Sequence, residues 1–281
     1  MYLVSDAIVV GRRMVANTSL VLRCYTERAG GLVVFAKGAF RRRRRAEPPS
    51  VPDLFQRGEV VLSTGPGRGY SILREWSLED VRRGVRESPP AFRAASACAS
   101  IVAALPGEPF PGGEHFAALE EALGELDRSA TAWGGAAGRA AAGVARRAPG
   151  APYLGGSPRP VVWAFALGVL SRAGFLAPLD SCALCGALFG RGGAGLEATA
   201  ASPLAGGLVC RGCARRAEGS VELTPEAASA ARFLARATMD AAARLRCSPD
   251  ATRALDRAVR EFAEHHLERA FPALAPEEGE P

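Results

Sequence analysis

Four of the seven cysteines in this chain fall in two Cys-x-x-Cys pairs, and this spacing constrains the fold more than any other feature. The pairs are Cys182 with Cys185 and Cys210 with Cys213. Thiolates at such a spacing supply the tetrahedral sulfur shell of a structural zinc ion. The sequence therefore predicts one structural Zn²⁺ per chain, held in a zinc-ribbon-like motif over residues 180–216. Iron, a metal-free motif and a redox dithiol remain the alternatives.

A shell closed by protein ligands limits the chemistry of the ion. Water or substrate finds no open coordination position, so a hydrolytic role is disfavoured. Gly186 allows the backbone N–H groups to turn toward the sulfurs. The other three cysteines, Cys24, Cys98 and Cys247, stand singly in strand or helix patterns, and we expect them to be buried as small apolar residues.

The composition is that of an ordinary globular protein. Hydrophobic residues make up 48% and charged residues 23% of the 281 positions, and a chain of this length commonly forms two domains. No apolar run has the length of a membrane span, and the first residues lack the charge order of a signal peptide. We therefore expect a cytoplasmic protein with reduced cysteines.

Residues 2–76 are expected to form short strands separated by glycine-containing turns. The apolar and β-branched runs lie at 7–10, 20–25, 32–36, 51–55, 60–63 and 70–73. Such strands suit a small closed barrel, of which the OB-fold is the commonest nucleic-acid-binding example; an SH3-like barrel is the alternative. We place this OB-fold domain at residues 1–78 and a helical domain at 79–281, which makes the fold class multidomain α+β.

The excess positive charge lies near the N-terminus. The net charge is +6, and residues 1–80 hold 13 basic against 8 acidic residues. Several guanidinium groups at a loop tip can pair with phosphates together, and a neighbouring aromatic ring can stack on a base. The predicted DNA-binding residues are Lys37, Phe40, Arg41, Arg42, Arg43, Arg44 and Arg45. The alternative is a solvated charge run.

After Trp76 the apolar spacing becomes helical, with Ser77–Asp80 as the predicted helix start. The predicted helices continue over 91–105 and then occupy 115–129, 161–173, 224–246 and 249–271. The helix at 115–129 has an apolar stripe that we expect to lie in the core. Residues 130–157 are rich in Ala, Gly and Pro, and we expect a flexible loop there because burial would not offset the entropy of ordering.

Five segments carry a resemblance to a known family. They read AKGAF-RRRRR, EPFPGGEHFAALEEALGELD, GFLAPLDSCALCG, GGLVCRGC and VREFAEHHLERAF. In this order and spacing they resemble the RecO family of bacterial recombination mediators, and the cysteine block is the most specific part. The barrel departs from the family pattern at Ala16-Asn17, where Gly-Glu is common, and at Phe40, which replaces an arginine.

The resemblance implies an OB-fold, a helical domain with an inserted zinc motif, and work in homologous recombination and gap repair. Members of this family bind and anneal single- and double-stranded DNA. They associate with RecR and with the acidic tail of single-stranded DNA-binding protein, and they help to load RecA. These partners imply a nucleoid-associated location. None of this requires a catalytic residue, since neutralising phosphate charge is enough to let strands approach.

Two other functional classes are compatible with parts of the sequence. An RNA- or ribosome-associated OB-fold protein with a zinc ribbon would have the same electrostatics. An enzyme is disfavoured because only three histidines occur and the motifs GxSxG, HExxH and GxxxxGK[ST] are absent. An acidic peptide tail would need an arginine beside an apolar pocket on the helical domain, and the candidates are Arg172, Arg232 and Arg236.

Overall fold

The computed structural model describes residues 1–40, 51–65, 69–105, 112–141, 157–190 and 196–271. These residues form an N-terminal closed β-barrel, followed by a helical region that contains a small three-stranded sheet. The predicted fold class is confirmed. None of the helices in these ranges combines the length and the apolar character that a membrane span requires.

Five strands form the barrel. They are β1 (Tyr2–Ala16), β2 (Ser19–Thr26), β3 (Gly30–Ala36), β4 (Arg57–Ser63) and β5 (Ser71–Asp80). The barrel closes in the order β1-β2-β3-β5-β4, with β3 parallel to β5 and the remaining pairs antiparallel. This five-stranded order is that of an OB-fold and excludes the SH3-like alternative.

The barrel closes because β1 is long enough to pair on both sides. Its first half pairs with β4 and its second half with β2, and the register shifts between Val9 and Gly11. Such a bulge bends a strand and increases its twist. Gly58 permits the close approach of β4 to β5, since a Cβ there would lie 2.3 Å from the carbonyl oxygen of Ser77. The barrel interior is filled by small and branched apolar side chains such as Val9, Leu22 and Val60.

Two predictions for this region are wrong. Residues 51–55 are not a strand, because Phe55 has a left-handed φ of 64° that an extended run does not allow. Ser77–Asp80 is not a helix start either, because β5 remains paired with β4 as far as Asp80. The first described helix begins at Arg83.

Eight helices are described. They are α1 (Arg83–Glu87), α2 (Pro89–Ala104), α3 (Gly112–Ala141), α4 (Arg159–Arg172), α5 (Arg211–Ala214), α6 (Pro225–Leu234), α7 (Met239–Ala243) and α8 (Pro249–Leu267). The small sheet contains β6 (Ala198–Ser202), β7 (Gly207–Cys210) and β8 (Val221–Glu222), with β6 in the middle. Helix α4 is buried on all sides, and this explains its uniformly apolar sequence.

The helix predictions succeed where the apolar period is strong. The expected core stripe of Phe116, Leu119, Leu123 and Leu126 is buried. Gly174 follows α4 with a φ of +79°, as a helix C-terminus favours.

Other helix predictions need correction. Helix α3 continues to Ala141, so the prediction of a loop is wrong for residues 130–141. Alanine, which is frequent there, favours helix. Residues 142–156 of the predicted loop lie outside the described residues. The single helix predicted over 224–246 is two helices, because Thr238 caps a new one by accepting a hydrogen bond from the Ala241 N–H at 3.3 Å. Helix α8 ends at Leu267 rather than near 271.

One side of the barrel is packed against the helical region. Ile8, Tyr25 and Phe55 belong to the same apolar cluster as the helices. At this junction Glu120 of α3 accepts from Arg82 at 2.5 Å and from Arg57 at 3.4 Å. The Arg82 side chain is fully buried. These contacts fix which side of the barrel is covered and which stays exposed to solvent.

Candidate functional site

The two cysteine pairs meet in the helical region. Cys182 and Cys185 lie in a tight turn, where the Cys182 N–H donates to the carbonyl of Ala187 at 2.9 Å and Gly186 takes a φ of +72°. Cys210 ends β7 and Cys213 lies on α5. The four Sγ atoms all lie within 4.8 Å of one another. A tetrahedral Zn–S shell with bonds of about 2.3 Å has sulfurs about 3.8 Å apart, so the spacing fits such an ion.

The electrostatics of the quartet also fit a cation. Burial raises the pKa of Cys182, but backbone N–H groups of Cys210, Cys185 and Leu184 outweigh it and lower the value to about 6. The pKa of Cys213 is instead raised to about 12, first by its hydrogen bond with the Cys210 thiol and then by burial and the other thiols. Four clustered thiols cannot all ionise without a compensating positive charge. The quartet is therefore a set that could hold a metal ion, with every ligand supplied by protein.

The remaining cysteines stand apart from this centre. Cys24 and Cys98 are fully buried, and burial raises the pKa of each, to about 12 for Cys24. Cys247 is half-buried, and its pKa is raised by burial and by Glu226. The expectation of buried small residues is confirmed for Cys24 and Cys98 and holds only in part for Cys247.

A second candidate site lies on the exposed side of the barrel, where outward-pointing residues line up across β1, β2 and β3. Arg13 pairs with Val21 and Val21 with Phe35, while Arg23 pairs with Val33 in the next row. Directly paired residues point to the same face of a sheet. We call these five residues, Arg13, Val21, Arg23, Val33 and Phe35, the open face. It combines two exposed arginines with an aromatic ring.

Two further aromatic residues border the open face. Tyr70, in the β4–β5 connection, is 48% exposed and contacts Phe35 edge-on. Phe40 is 40% exposed, and its backbone N–H donates to Thr18 in the β1–β2 turn at 3.3 Å. The Arg12 guanidinium lies 5.7 Å from the Phe40 ring centroid. OB-folds bind oligonucleotides on this part of the barrel, through strands β2 and β3 and the β1–β2 and β4–β5 loops.

The predicted DNA-binding residues are only partly within the structure. Lys37 is exposed just after β3, and Phe40 follows it at the edge of the open face. Arg41–Arg45 lie outside the described residues. Sequence reasoning missed Arg13 and Arg23 as candidates. For Arg23 the signal was its place between Leu22 and Cys24, both buried in a predicted strand, which puts Arg23 on the outer face; no comparable local pattern identifies Arg13.

A third feature is an open cavity of about 330 Å³ on the helical region, which we call the arginine cleft. It is lined by Asp180, Ser229, Arg232, Phe233, Arg236 and Ala237. Arg232 and Arg236 were two of the three arginines expected beside an apolar pocket. The third, Arg172, lies at the end of α4 and does not line this cavity. The pKa of His115 is lowered, first by burial and then by the positive charge of Arg172.

Comparison with known proteins supports one family. Residues 154–275 match the family model described as "Recombination protein O C terminal". A DNA repair protein RecO from Anaeromyxobacter sp. strain K is 37% identical over 119 residues, which cover 42% of this chain and 45% of that protein. The RecO of Anaeromyxobacter dehalogenans strain 2CP-C is 36% identical over 126 residues, covering 43% and 48%.

The matched region contains the cysteine quartet and the arginine cleft. The chain spans about half the length of the curated relatives it matches. These matches confirm the resemblance to the RecO family, and they place it in residues 154–275, which are similar to the RecO C-terminal domain.

Proposed function

We propose that this protein is a non-catalytic DNA-binding mediator of homologous recombination and gap repair. The observation that carries the proposal is the open face, where Arg13 and Arg23 share the outer surface of strands β1–β3 with Phe35 on an OB-fold barrel. Arginines neutralise phosphates without reading sequence, and aromatic rings stack on any base. Such a surface suits a protein that must hold single-stranded DNA of any sequence.

Strand annealing follows from the same chemistry. Two complementary strands repel each other through their phosphates, and bound guanidinium groups lower that repulsion. Lys37 and Phe40 lie at the edge of the open face, and we propose Arg41–Arg45, which follow them in the sequence, as further phosphate contacts. The bases remain available for pairing when the protein contacts are mainly to phosphates.

For the cysteine quartet we propose one structural zinc ion per chain, held by Cys182, Cys185, Cys210 and Cys213. Such an ion supplies folding free energy by joining segments that the small sheet alone would hold weakly. Its coordination by four protein ligands leaves it no role in bond cleavage. We propose the DNA contacts on the barrel instead, where the open face carries Arg13 and Arg23.

The arginine cleft is proposed as the contact for the acidic C-terminal tail of single-stranded DNA-binding protein. Arg232 and Arg236 supply positive charge, and the Phe233 ring, 45% exposed, supplies apolar surface. A peptide that ends in a carboxylate next to an apolar side chain matches this combination. RecR and, indirectly, RecA are proposed as further partners, and the work would take place in the cytoplasm at the nucleoid.

A strand-annealing assay with the purified full-length chain tests the proposal. We expect complementary oligonucleotides to anneal faster with the protein than without it, in the absence of any nucleotide cofactor. Coating the strands with single-stranded DNA-binding protein should leave annealing possible when its acidic tail is intact and slow it when the tail is deleted. No acceleration of annealing would overturn the proposal.

Competition binding separates the proposal from an RNA-associated role. Labelled single-stranded DNA bound to the protein is challenged with unlabelled DNA or RNA of the same sequence. A mediator of recombination should retain DNA against an equal concentration of RNA. Stronger displacement by RNA would favour the ribosome- or RNA-associated alternative.

A further inference from the structure

The arginine cleft already contains a carboxylate of this chain. Asp180 forms ion pairs with both Arg236 and Arg232, the latter at 3.6 Å. These two guanidinium groups are the ones that a bound acidic peptide would need. We infer that Asp180 is a built-in competitor that occupies the cleft until an acidic peptide displaces it. The inference rests on the peptide-binding role proposed above.

The ion pairs with Asp180 leave one donor of the cleft unsatisfied. The Nε atom of Arg232 is buried and has no hydrogen-bond partner among the described residues. A buried unpaired donor costs free energy, so the Asp180-bound state of the cleft is less stable than one in which this N–H is paired. The cavity volume of about 330 Å³ and the half-exposed Phe233 ring leave room for an apolar side chain beside the carboxylate.

The backbone of Asp180 is held by residues 188 and 189, which follow the turn of the first cysteine pair. Its carbonyl accepts from the Phe189 N–H at 2.8 Å, and the next residue, Ser181, forms an isolated antiparallel bridge with Leu188. The arginines, by contrast, lie on α6 and just beyond it. The carboxylate therefore comes from a different element with a fixed backbone. The Arg236 side chain, 61% exposed, can rotate away from it when a ligand arrives.

Competition with Asp180 makes the affinity of the cleft depend on the number of carboxylates in the ligand. A ligand with one carboxylate exchanges one ion pair for another, so its net binding free energy is small. A ligand with several carboxylates and an apolar end can replace Asp180 on both guanidinium groups and also contact Phe233. The cleft should therefore select polyacidic tails with an apolar terminus over isolated carboxylates.

The size of the effect follows from the exposure of the pair. The free energy of a partly exposed ion pair is small, and it changes an equilibrium constant by at most about fivefold. Removing Asp180 should therefore raise peptide affinity by about threefold to fivefold. A much larger gain is not expected, because Asp180 and its arginines remain in contact with water.

Fluorescence anisotropy tests this with the full-length protein and a short labelled peptide that has several aspartates and a C-terminal phenylalanine. We compare wild type with Asp180→Asn and with Asp180→Ser, and the melting temperature of each variant shows that it is folded. The matched control is Asp240→Asn, which removes an equal charge from an exposed pair with Arg244 on α7. We expect tighter binding for both Asp180 variants and unchanged binding for the control.

The outcomes distinguish the inference from the proposal beneath it. If wild type binds the peptide and neither Asp180 variant binds more tightly, Asp180 is only a tether between the cysteine motif and α6, and the inference is overturned. If equal gains appear for Asp240→Asn, the effect is one of net charge, which also overturns it. If neither wild type nor any variant binds the peptide, the proposed peptide-binding role fails as well.

Discussion

The ring of Tyr70 stands edge-on to the ring of Phe35, with centroids 6.4 Å apart and an angle of 61° between their planes. Phe35 is fixed on β3, where the barrel closes by parallel pairing with β5. Tyr70 immediately precedes β5, the strand that pairs with β3. Barrel closure thus sets the position of two aromatic rings beside the arginines of the open face. Rings that are ordered before binding lose less entropy when a base stacks on them.

Replacing Tyr70 with alanine should weaken the binding of single-stranded DNA. Stacking contributes about 1–3 kcal/mol per base, which corresponds to roughly fivefold or more in the dissociation constant. The control is Phe233→Ala, which removes an exposed aromatic ring on the helical region, outside the barrel. Fluorescence anisotropy with a labelled oligonucleotide measures both. Equal losses in the two variants would remove Tyr70 from the interface.

Breaking the cysteine quartet should release the metal and loosen the small sheet. Cys182→Ser is expected to lose bound zinc and to lower the melting temperature by roughly 5–10 °C. Cys247→Ser, a half-buried cysteine outside the quartet, should retain the metal. Metal analysis should find about one zinc per chain in wild type purified without chelators. Wild type with far less zinc, or a Cys182 variant with as much, would count against the centre.

Glu120→Gln should destabilise the junction between the barrel and α3. The Arg82 side chain is fully buried, and its NH2 group contacts Glu120 at 2.5 Å. Asp80 remains 3.6 Å from the Arg82 Nε, so the substitution weakens the pairing of this buried cation without abolishing it and should cost about 1–3 kcal/mol. Glu79→Gln, which removes a half-exposed partner of Arg57, should cost less than about 1 kcal/mol. Urea unfolding measures both variants, and similar small losses would show that the buried pair does not hold the junction.

Asp53 should make the stability of the barrel dependent on pH. Burial opposes ionisation, but hydrogen bonds from Arg86, Leu54 and Arg12 outweigh it and hold the pKa of Asp53 below its ordinary value of 3.8. Because the folded-state pKa lies below the unfolded one, the ionised carboxylate stabilises the fold above the unfolded value. This contribution is lost as the pH falls through the folded value.

The test compares the free energy of unfolding of wild type and Asp53→Asn from neutral pH downward. We expect the variant to be less stable at neutral pH and the difference to shrink in acid. The control Asp250→Asn removes an exposed carboxylate in the first turn of α8 that pairs with Arg253, and it should change stability by less than about 1 kcal/mol. A difference that grows as the pH falls would contradict the assignment.

Much of the fold could be predicted from local sequence patterns. The apolar stripe of α3 and the Thr224 cap of α6 predict helices because their periods and caps are local properties. The cysteine spacing likewise predicts a clustered quartet. The extension of β5 to Asp80 could not be predicted, because it depends on pairing with β4, which is distant in sequence.

The candidate sites differ in the same way, since some follow from local sequence and others from contacts between distant segments. The run at Arg41–Arg45 is conspicuous in the sequence, whereas Arg13 and Arg23 become neighbours only when β1 and β2 pair in one register. The arginine cleft likewise needs Asp180 and Arg236 to meet across different elements. Contacts between distant segments are therefore what the sequence alone leaves open.

The most direct test of the account is the salt dependence of single-stranded DNA binding. The logarithm of the binding constant falls with the logarithm of salt concentration by about 0.7 per neutralised phosphate. Replacing Arg41–Arg45 with serine should weaken binding and flatten this slope by roughly 2–3 if most of these arginines contact phosphates. The control replaces Arg244 and Arg253, which pair with carboxylates on α7 and α8, and should keep the wild-type slope. An unchanged slope would show that the arginine run does not contact phosphates. If the wild-type protein did not bind oligonucleotides even in dilute buffer, the account as a whole would be contradicted.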